Sequence, residues 1–262
     1  MEIRELTILS DLQLCELVQR EVWRVGDREI LAASHLNATV HAGGLVAAAF
    51  EDDEVLGFVH GFPAYDAEQR GCGLHSHLMG VRPQARRLGV GKALKWYQRD
   101  WCLARGLTWV RWTFDPLQAK NARLNLEYLG AEASVYRENA YGYLGGDLNG
   151  YLPTDRLLAQ WNLEAPHVVA LSRGEARPEA DTTGAVVVAE RAEGDGLVCT
   201  DLTQNAPRLR LDIPPDLNGL LRDRSGDALK WRLELRQVFT HYFAQGYRAE
   251  RFVDGSYLLV AP

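Results

Sequence analysis

The chain has 262 residues, 47% hydrophobic and 24% charged, with a formal net charge of −6 at pH 7. That length fits one large domain or two modest ones that need no disulfide or metal staple, and the composition excludes a disordered or fibrous chain. The acidic balance argues against a broad basic surface for nucleic acid, and no apolar run approaches the ~18 residues of a membrane span.

The first residues, M-E-I-R-E-L, lack the basic-then-apolar pattern of a signal peptide, and Cys15, Cys72, Cys102 and Cys199 are scattered without C-x-x-C spacing. A soluble, cytoplasmic protein without metal, nucleic-acid or membrane partner is expected. In chain order, S-D-L-Q from Ser10 has the capping-box form, and Leu14, Leu17, Val18 and Val22 then share one stripe, which predicts a helix over 11–23. A second helix is predicted over 28–40, ended by Gly43-Gly44. The runs L-V-A-A-A-F and V-L-G-F-V-H-G-F flank E-D-D-E and predict an antiparallel hairpin. Residues 73–81 read as a strand stopped by Pro83, and 89–105 as a helix closed by Gly106.

T-W-V-R-W-T-F-D is a strand that ends at Asp115-Pro116, with Arg111 and Thr113 on the face away from its core side. A helix over 117–129, ended by Gly130, leads to strands A-S-V-Y-R-E-N and R-L-L-A-Q-W-N-L. Ala165-Pro166 marks a boundary, so domains are expected over 1–163 and 164–262. The second holds strands at H-V-V-A-L, V-V-V-A-E, L-R-L-D-I-P, R-A-E-R-F-V and S-Y-L-L-V, and a helix over 227–245.

Between the strand at 73–81 and the helix at 89–105 lies R-R-L-G-V-G-K, residues 86–92. A pyrophosphate is held by successive backbone N–H groups at a helix N-terminus; glycines let the ligand approach, and arginines add charged donors. The same R-x-x-G-x-G spacing recurs over 191–196, but that copy is acidic and leads into a strand, so it reads as a hairpin loop. No G-x-x-x-x-G-K-[ST] loop exists, which disfavours a nucleoside triphosphate enzyme.

The stretch L-M-G-V-R-P-Q-A-R-R-L-G-V-G-K-A-L resembles the central motif of the Gcn5-related N-acetyltransferase (GNAT) superfamily, and N-A-R-L-N-L-E-Y-L-G-A over 121–131 resembles its next helix. The resemblance covers about three fifths of the chain. It implies an α/β (α+β) fold with a mixed, mostly antiparallel sheet flanked by helices. It also implies an acyl-CoA co-substrate, most often acetyl-CoA. Its pantetheine arm would pair with the backbone of Met79, Gly80 and Val81. Its pyrophosphate would lie on the amides of Arg86, Arg87, Leu88, Gly89, Val90, Gly91 and Lys92, with Asn121 supplied by the second motif.

Acyl transfer from a thioester needs a neutral amine, an oxyanion donor and a proton for the thiolate. His75 and His77 stand two apart on the strand, share a face, and titrate near neutral pH. The H-x-H spacing is similar to the paired histidines that serve as base in the arylalkylamine acetyltransferase branch. His77 is the first candidate base and His75 the second; metal ligation and structural hydrogen bonding are other uses open to the pair.

Where the family commonly carries a thiolate-protonating tyrosine, this chain has Leu126, and Tyr128 is rotated by about 200° around the helix. Tyr136 and Tyr141 are substitutes, unless the thiolate leaves without a dedicated acid. Asp155-Arg156 reads first as a surface ion pair and second as an anion-binding arginine beside the acceptor. In the C-terminal third, Y-F-A-Q-G-Y resembles the end of the family's Gly-terminated helix, so this unit is expected to be either a degenerate GNAT-like half, shaping the acceptor pocket or a homodimer face, or a generic α+β unit.

The expected activity is N-acyl transfer to a small-molecule amine, such as an amino acid or derivative, by direct attack in a ternary complex. The alternative, motivated by Leu126, is a non-catalytic acyl-CoA-binding module or regulatory subunit.

Overall fold

A computed structural model describes residues 1–24, 26–67, 71–142 and 152–262. They divide into two compact units. The first holds Met1–Trp112 and Asn162–Ala165; the second holds residues 113–142, 152–161 and 166–262. This division differs from the expected boundary after residue 163, because residues 113–142 and 152–161 cluster with the C-terminal third.

In the first unit the order is β1 (Glu2–Glu5), α1 (Leu9–Trp23), α2 (Ala33–His41), β2 (Leu45–Glu51), β3 (Glu54–Asp66), β4 (Gly71–Val81), α3 (Val90–Leu103) and β5 (Trp109–Phe114), the last two residues of β5 falling in the second unit. β1 to β4 pair antiparallel in sequence order, and β5 joins β4 in parallel. Leu12, Cys15 and Val18 of α1 and Leu36 of α2 pack with Val46, Ala48 and Phe58 of the sheet. On α3, Val90, Leu94 and Trp101 are buried and Tyr97 is half-buried.

Three local expectations are corrected here. α1 starts at Leu9, with Ile8 as an N-cap that makes no side-chain bond, so Ser10 lies inside the first turn and no capping box forms. The predicted helix over 28–40 begins only at Ala33; Asp27–Glu29 form a separate 3-10 turn, and the Leu31 backbone bonds the Gln19 side chain through both its N–H and its C=O. The β1 strand carried too few apolar residues to be read from the sequence.

In the second unit come α4 (Ala119–Ala122), which runs into a π-helical turn over Arg123–Tyr128, β6 (Glu132–Arg137), β7 (Arg156–Asn162), α5 (Pro166–Ser172), β8 (Val186–Arg191), β9 (Leu197–Thr200), β10 (Arg208–Asp212), α6 (Leu217–Asp223), α7 (Ser225–Ala244), β11 (Arg248–Val253) and β12 (Ser256–Val260). The predicted single helix over 117–129 is thus short and then widened: Leu129 N–H bonds Leu124 C=O, five residues back. The predicted strand H-V-V-A-L is α5 instead. Pro166 suits a helical first position, Val168 is buried, and the His167 ring bonds the Gly130 carbonyl at 2.9 Å. α6 had no sequence expectation.

The strand order in this unit is β7-β6-β11-β12-β10-β8-β9. The connectivity repeats itself. β5, a helical connection, β6 and β7 lie in the order β5-β7-β6, with Gly130 at φ +71° ending the helical part; β10, a helical connection, β11 and β12 lie in the order β10-β12-β11, with Gly246 at φ +88° in the same place. β8 runs parallel to β10 as β4 does to β5. The difference is the connection: a helix joins β4 to β5, whereas only the hairpin strand β9 lies between β8 and β10. The later half therefore lacks the helix whose start would hold a phosphate. The second R-x-x-G-x-G copy falls on this β8–β9 hairpin, as its acidic sequence suggested.

Candidate active site

β4 pairs with β5 at Leu74–Val110 and His75–Arg111, and among the described residues no β5 pairing continues past His75. From Ser76 to Val81 the strand's ladder partner among the described residues is β3, so its other edge offers backbone groups outside any described ladder, with the Val81 carbonyl accepting from Arg86 Nε at 3.4 Å. Val81-Arg82-Pro83 then turns the chain, and Gly89, at φ +76°, leads into α3. The left-handed backbone at Gly89 is one that a side chain disfavours.

α3 has no side-chain cap and no acidic residue in its first turn, so its leading N–H groups and its positive dipole end are available to an anion. Arg86, Arg87, Leu88, Gly89 and Lys92 are exposed around it, and Gly91 leaves its Cβ position 3.5 Å from Met79 Cε. These residues and Met79, Gly80 and Val81 stand together in the first unit. Asn121 is exposed on α4 in the second.

A bulge sits in β4. Gly61 pairs with Ser76 and His60 with Leu78, which leaves His77 as the extra residue. Ser76 points to α3, where its hydroxyl meets Lys95, while Leu78 packs into the core beneath α1. His75 and His77 have ring centroids 6.2 Å apart; Phe62 stacks on His75 at 5.1 Å, and His60 meets His77 edge-on at 5.7 Å. His60 is fully buried beside Thr39, with Nε2 3.2 Å from Oγ1. Since that hydroxyl donates to the His35 carbonyl at 3.1 Å, it accepts from His60, and burial holds His60 neutral with a pKa near 3. His77 is only partly covered. Burial of its ring, then the nearby His35, hold its pKa below the ordinary histidine value, so it is an unprotonated acceptor at neutral pH. The described residues contain no group of three or more metal-binding side chains.

Nothing in the local pattern singles out Lys95, because it follows Leu94 on a helix with a polar face. It is nonetheless buried, donating to Ser76 Oγ at 2.8 Å and Gln98 Oε1 at 3.0 Å, with Nζ 3.7 Å from the Trp112 ring centroid. Burial draws its pKa down to about 7. Between that value and the ~10.4 of an unfolded lysine, the unfolded chain binds more protons than the folded one, so stability rises with pH over this window and the cost is fully present below it. The urea midpoint of the parent is expected to climb from pH 7 to 9.5, and Lys95→Met to remove that climb. An identical pH dependence in the two proteins would refute the assignment.

In the second unit Leu126 is fully buried, its carbonyl accepting from Arg177, while Tyr128 is exposed. Tyr136 donates to Asp155 Oδ2 at 2.7 Å, and burial followed by that bond raises its pKa far above the tyrosine range. Tyr141 is exposed, with its hydroxyl 2.6 Å from Thr113 Oγ1. Asp155-Arg156 is not a surface pair. Asp155 is fully buried and bonded by both Nε and Nη2 of Arg236, each at 2.9 Å, and Arg156 Nη1 donates to the Asp155 carbonyl.

Residues 8–130 match the acetyltransferase (GNAT) family. This part of the chain belongs to that family. The GNAT fold also appears in solved structures. N-acetyltransferase from Staphylococcus aureus Mu50 aligns with TM-score 0.51 and 14% identity, covering 62% of this chain and 98% of its own. The yncA protein of Salmonella typhimurium, solved with its cofactor acetyl-CoA, aligns with TM-score 0.50 and 16% identity over 68% of this chain and 98% of its own. The smu.2055 protein of Streptococcus mutans UA159 aligns with TM-score 0.50 and 17% identity over 63% and 100%. No curated protein sequence matches the chain. Acetyl-CoA is the co-substrate of the GNAT fold, and the uncapped start of α3 suits its pyrophosphate. No helix among the described residues is long and apolar enough to cross a membrane.

Proposed function

We propose that the chain is an acyl-CoA-dependent N-acetyltransferase acting on the amine of a small molecule, such as an amino acid or derivative, by direct attack in a ternary complex. The carrying observation is the uncapped helix start that follows a strand with one open edge, all within the stretch that belongs to the GNAT family. The amides at 86–92 and the Arg86 and Arg87 side chains bind the pyrophosphate, and the open edge of β4 over 79–81 takes the pantetheine amides.

His77 accepts a proton from the ammonium form of the acceptor, directly or through a water, with His75 beside it as the second candidate. The freed amine attacks the thioester carbonyl carbon, the C–N bond forms, and the oxyanion is met by backbone N–H groups of the open β4 edge. The attacking nitrogen gives its second proton to solvent, the C–S bond breaks, and CoA leaves as a thiolate that is protonated by solvent. Tyr136 is committed to Asp155 and Leu126 carries no proton, which favours departure without a dedicated acid.

A thermal-shift series with acetyl-CoA, succinyl-CoA, free CoA, ATP and NAD tests the donor site. A ligand at 100 times its Kd adds about 2.7 kcal/mol to the folded state, so a CoA species raises the Tm by several degrees. Gly89→Glu is expected to abolish that rise, because the substitution strains a left-handed backbone and sets a carboxylate at the same N–H groups. Stabilisation by ATP or NAD instead would refute the donor assignment. Titration calorimetry should return one acetyl-CoA per chain, since the β8–β10 connection has no helix to make a second site.

A further inference from the structure

Among the described residues of the second unit, Arg156, Arg232 and Arg236 gather around Asp115, Asp155 and Glu138, and Arg156 is the arginine least bonded to them. Arg236 takes both oxygens of Asp155, which also accepts from Tyr136 Oη at 2.7 Å and Asn139 N–H at 2.9 Å. Arg232 Nη2 donates to Asp115 Oδ2 at 2.6 Å, and Leu117 N–H donates to the other oxygen at 2.8 Å. Both carboxylates are thereby committed to other arginines. Arg156 is left 3.9 Å from Asp115, outside hydrogen-bonding range, and makes one hydrogen bond among the described residues, from Nη1 to the Asp155 carbonyl at 2.8 Å.

Its side chain is nevertheless only 11% exposed. Burial lowers its pKa from the usual arginine value, and Asp115 at 3.9 Å only partly offsets this. The Nε and Nη2 pair that forms the side-on fork of the guanidinium makes no hydrogen bond among the described residues. Beside it stands Tyr141, with the Arg156 guanidinium 5.4 Å from its ring centroid and its hydroxyl on Thr113. Behind it, Arg232 is buried with Nε and Nη1 lacking any hydrogen-bond partner among the described residues.

We propose that Arg156, with the Tyr141 and Thr113 hydroxyls, binds the carboxylate of a small ligand. The planar fork donates to both oxygens of one carboxylate, and the delocalised guanidinium suits a single negative charge. A phosphate dianion would bring a second charge close to Asp115 and Asp155.

The test is a thermal-shift panel of the common amino acids and of benzoate, each at millimolar concentration against its uncharged primary amide, on the parent and on Arg156→Gln and Arg156→Lys. At least one acid is expected to raise the Tm of the parent while its amide does not. The preference should vanish in Arg156→Gln and return in part in Arg156→Lys, whose charge remains but whose fork is lost. If no acid outperforms its amide, or if the preference survives in Arg156→Gln, the site is refuted.

Discussion

His77→Gln lowers kcat/KM by roughly 10²–10⁴-fold, the usual contribution of a positioned general base, while acetyl-CoA binds as before. The dissociation of the two readouts is the point, because His77 faces Phe62 and His60 and not the loop at 86–92. The pH profile adds a second signature. With its pKa held below the ordinary value by burial and by His35, His77 is protonated only as pH falls below the normal histidine range, so the parent keeps its activity through neutrality and loses it on the acid side. In His77→Gln that acid limb disappears. Unchanged kcat/KM in His77→Gln, with the loss and the vanished limb in His75→Gln, would transfer the role to His75; no loss in either would remove both.

The largest expected change in stability comes from Asp155→Ala. Its carboxylate is fully buried and accepts from Arg236 twice, from Tyr136 and from Asn139. Removing one member of a buried ion pair typically costs about 3–5 kcal/mol, because the remaining charge stays behind without compensation. Arg236 is partly exposed, so the lower end of that range is expected, with a drop in Tm of roughly 6–12 degrees. The sign with pH is fixed by the same bonds. Burial alone would raise the Asp155 pKa, but the bonds from Arg236, Asn139 and Tyr136 reverse this and lower it. Its contribution is therefore present above the unfolded value of about 3.9 and is lost as pH falls through the lower folded value. Chemical denaturation at pH 7 and at pH 3 checks both statements: a gap between parent and variant that does not narrow in acid would refute this account.

The proposed donor site could be read from the sequence because the chemistry it would use lies in the backbone. A strand, a turn with Gly89 in a left-handed conformation and a helix start are local, and their spacing is written in R-R-L-G-V-G-K. The partners of single side chains were not legible. Lys95 looks like one of the polar residues of an amphipathic helix until Trp112 and Ser76 close over it. Asp155-Arg156 looks like a neighbouring ion pair, yet Asp155 bonds Arg236, 81 positions away. The bulge at His77 depends on its register with β3, which no local pattern records. Nor did H-V-V-A-L show that Pro166 would start a helix and that β-branched residues would follow it there. The repeat was hinted at only by Y-F-A-Q-G-Y; strand order, a global property, is what makes it visible.

The widest consequence of the second unit concerns what evolution can still remove. Asp115 and Asp155, on the stretch just after the family-matched strands, find their counterions in Arg232 and Arg236 of α7, and Tyr257 of β12 donates to the Pro116 carbonyl at 2.8 Å. A deletion that ends the chain at residue 163 would strand two carboxylates and take β11 from the edge of β6, so the shortened protein is expected to be less stable than the parent. The later half, with no phosphate loop of its own, is thus retained by the charges of the segment before it.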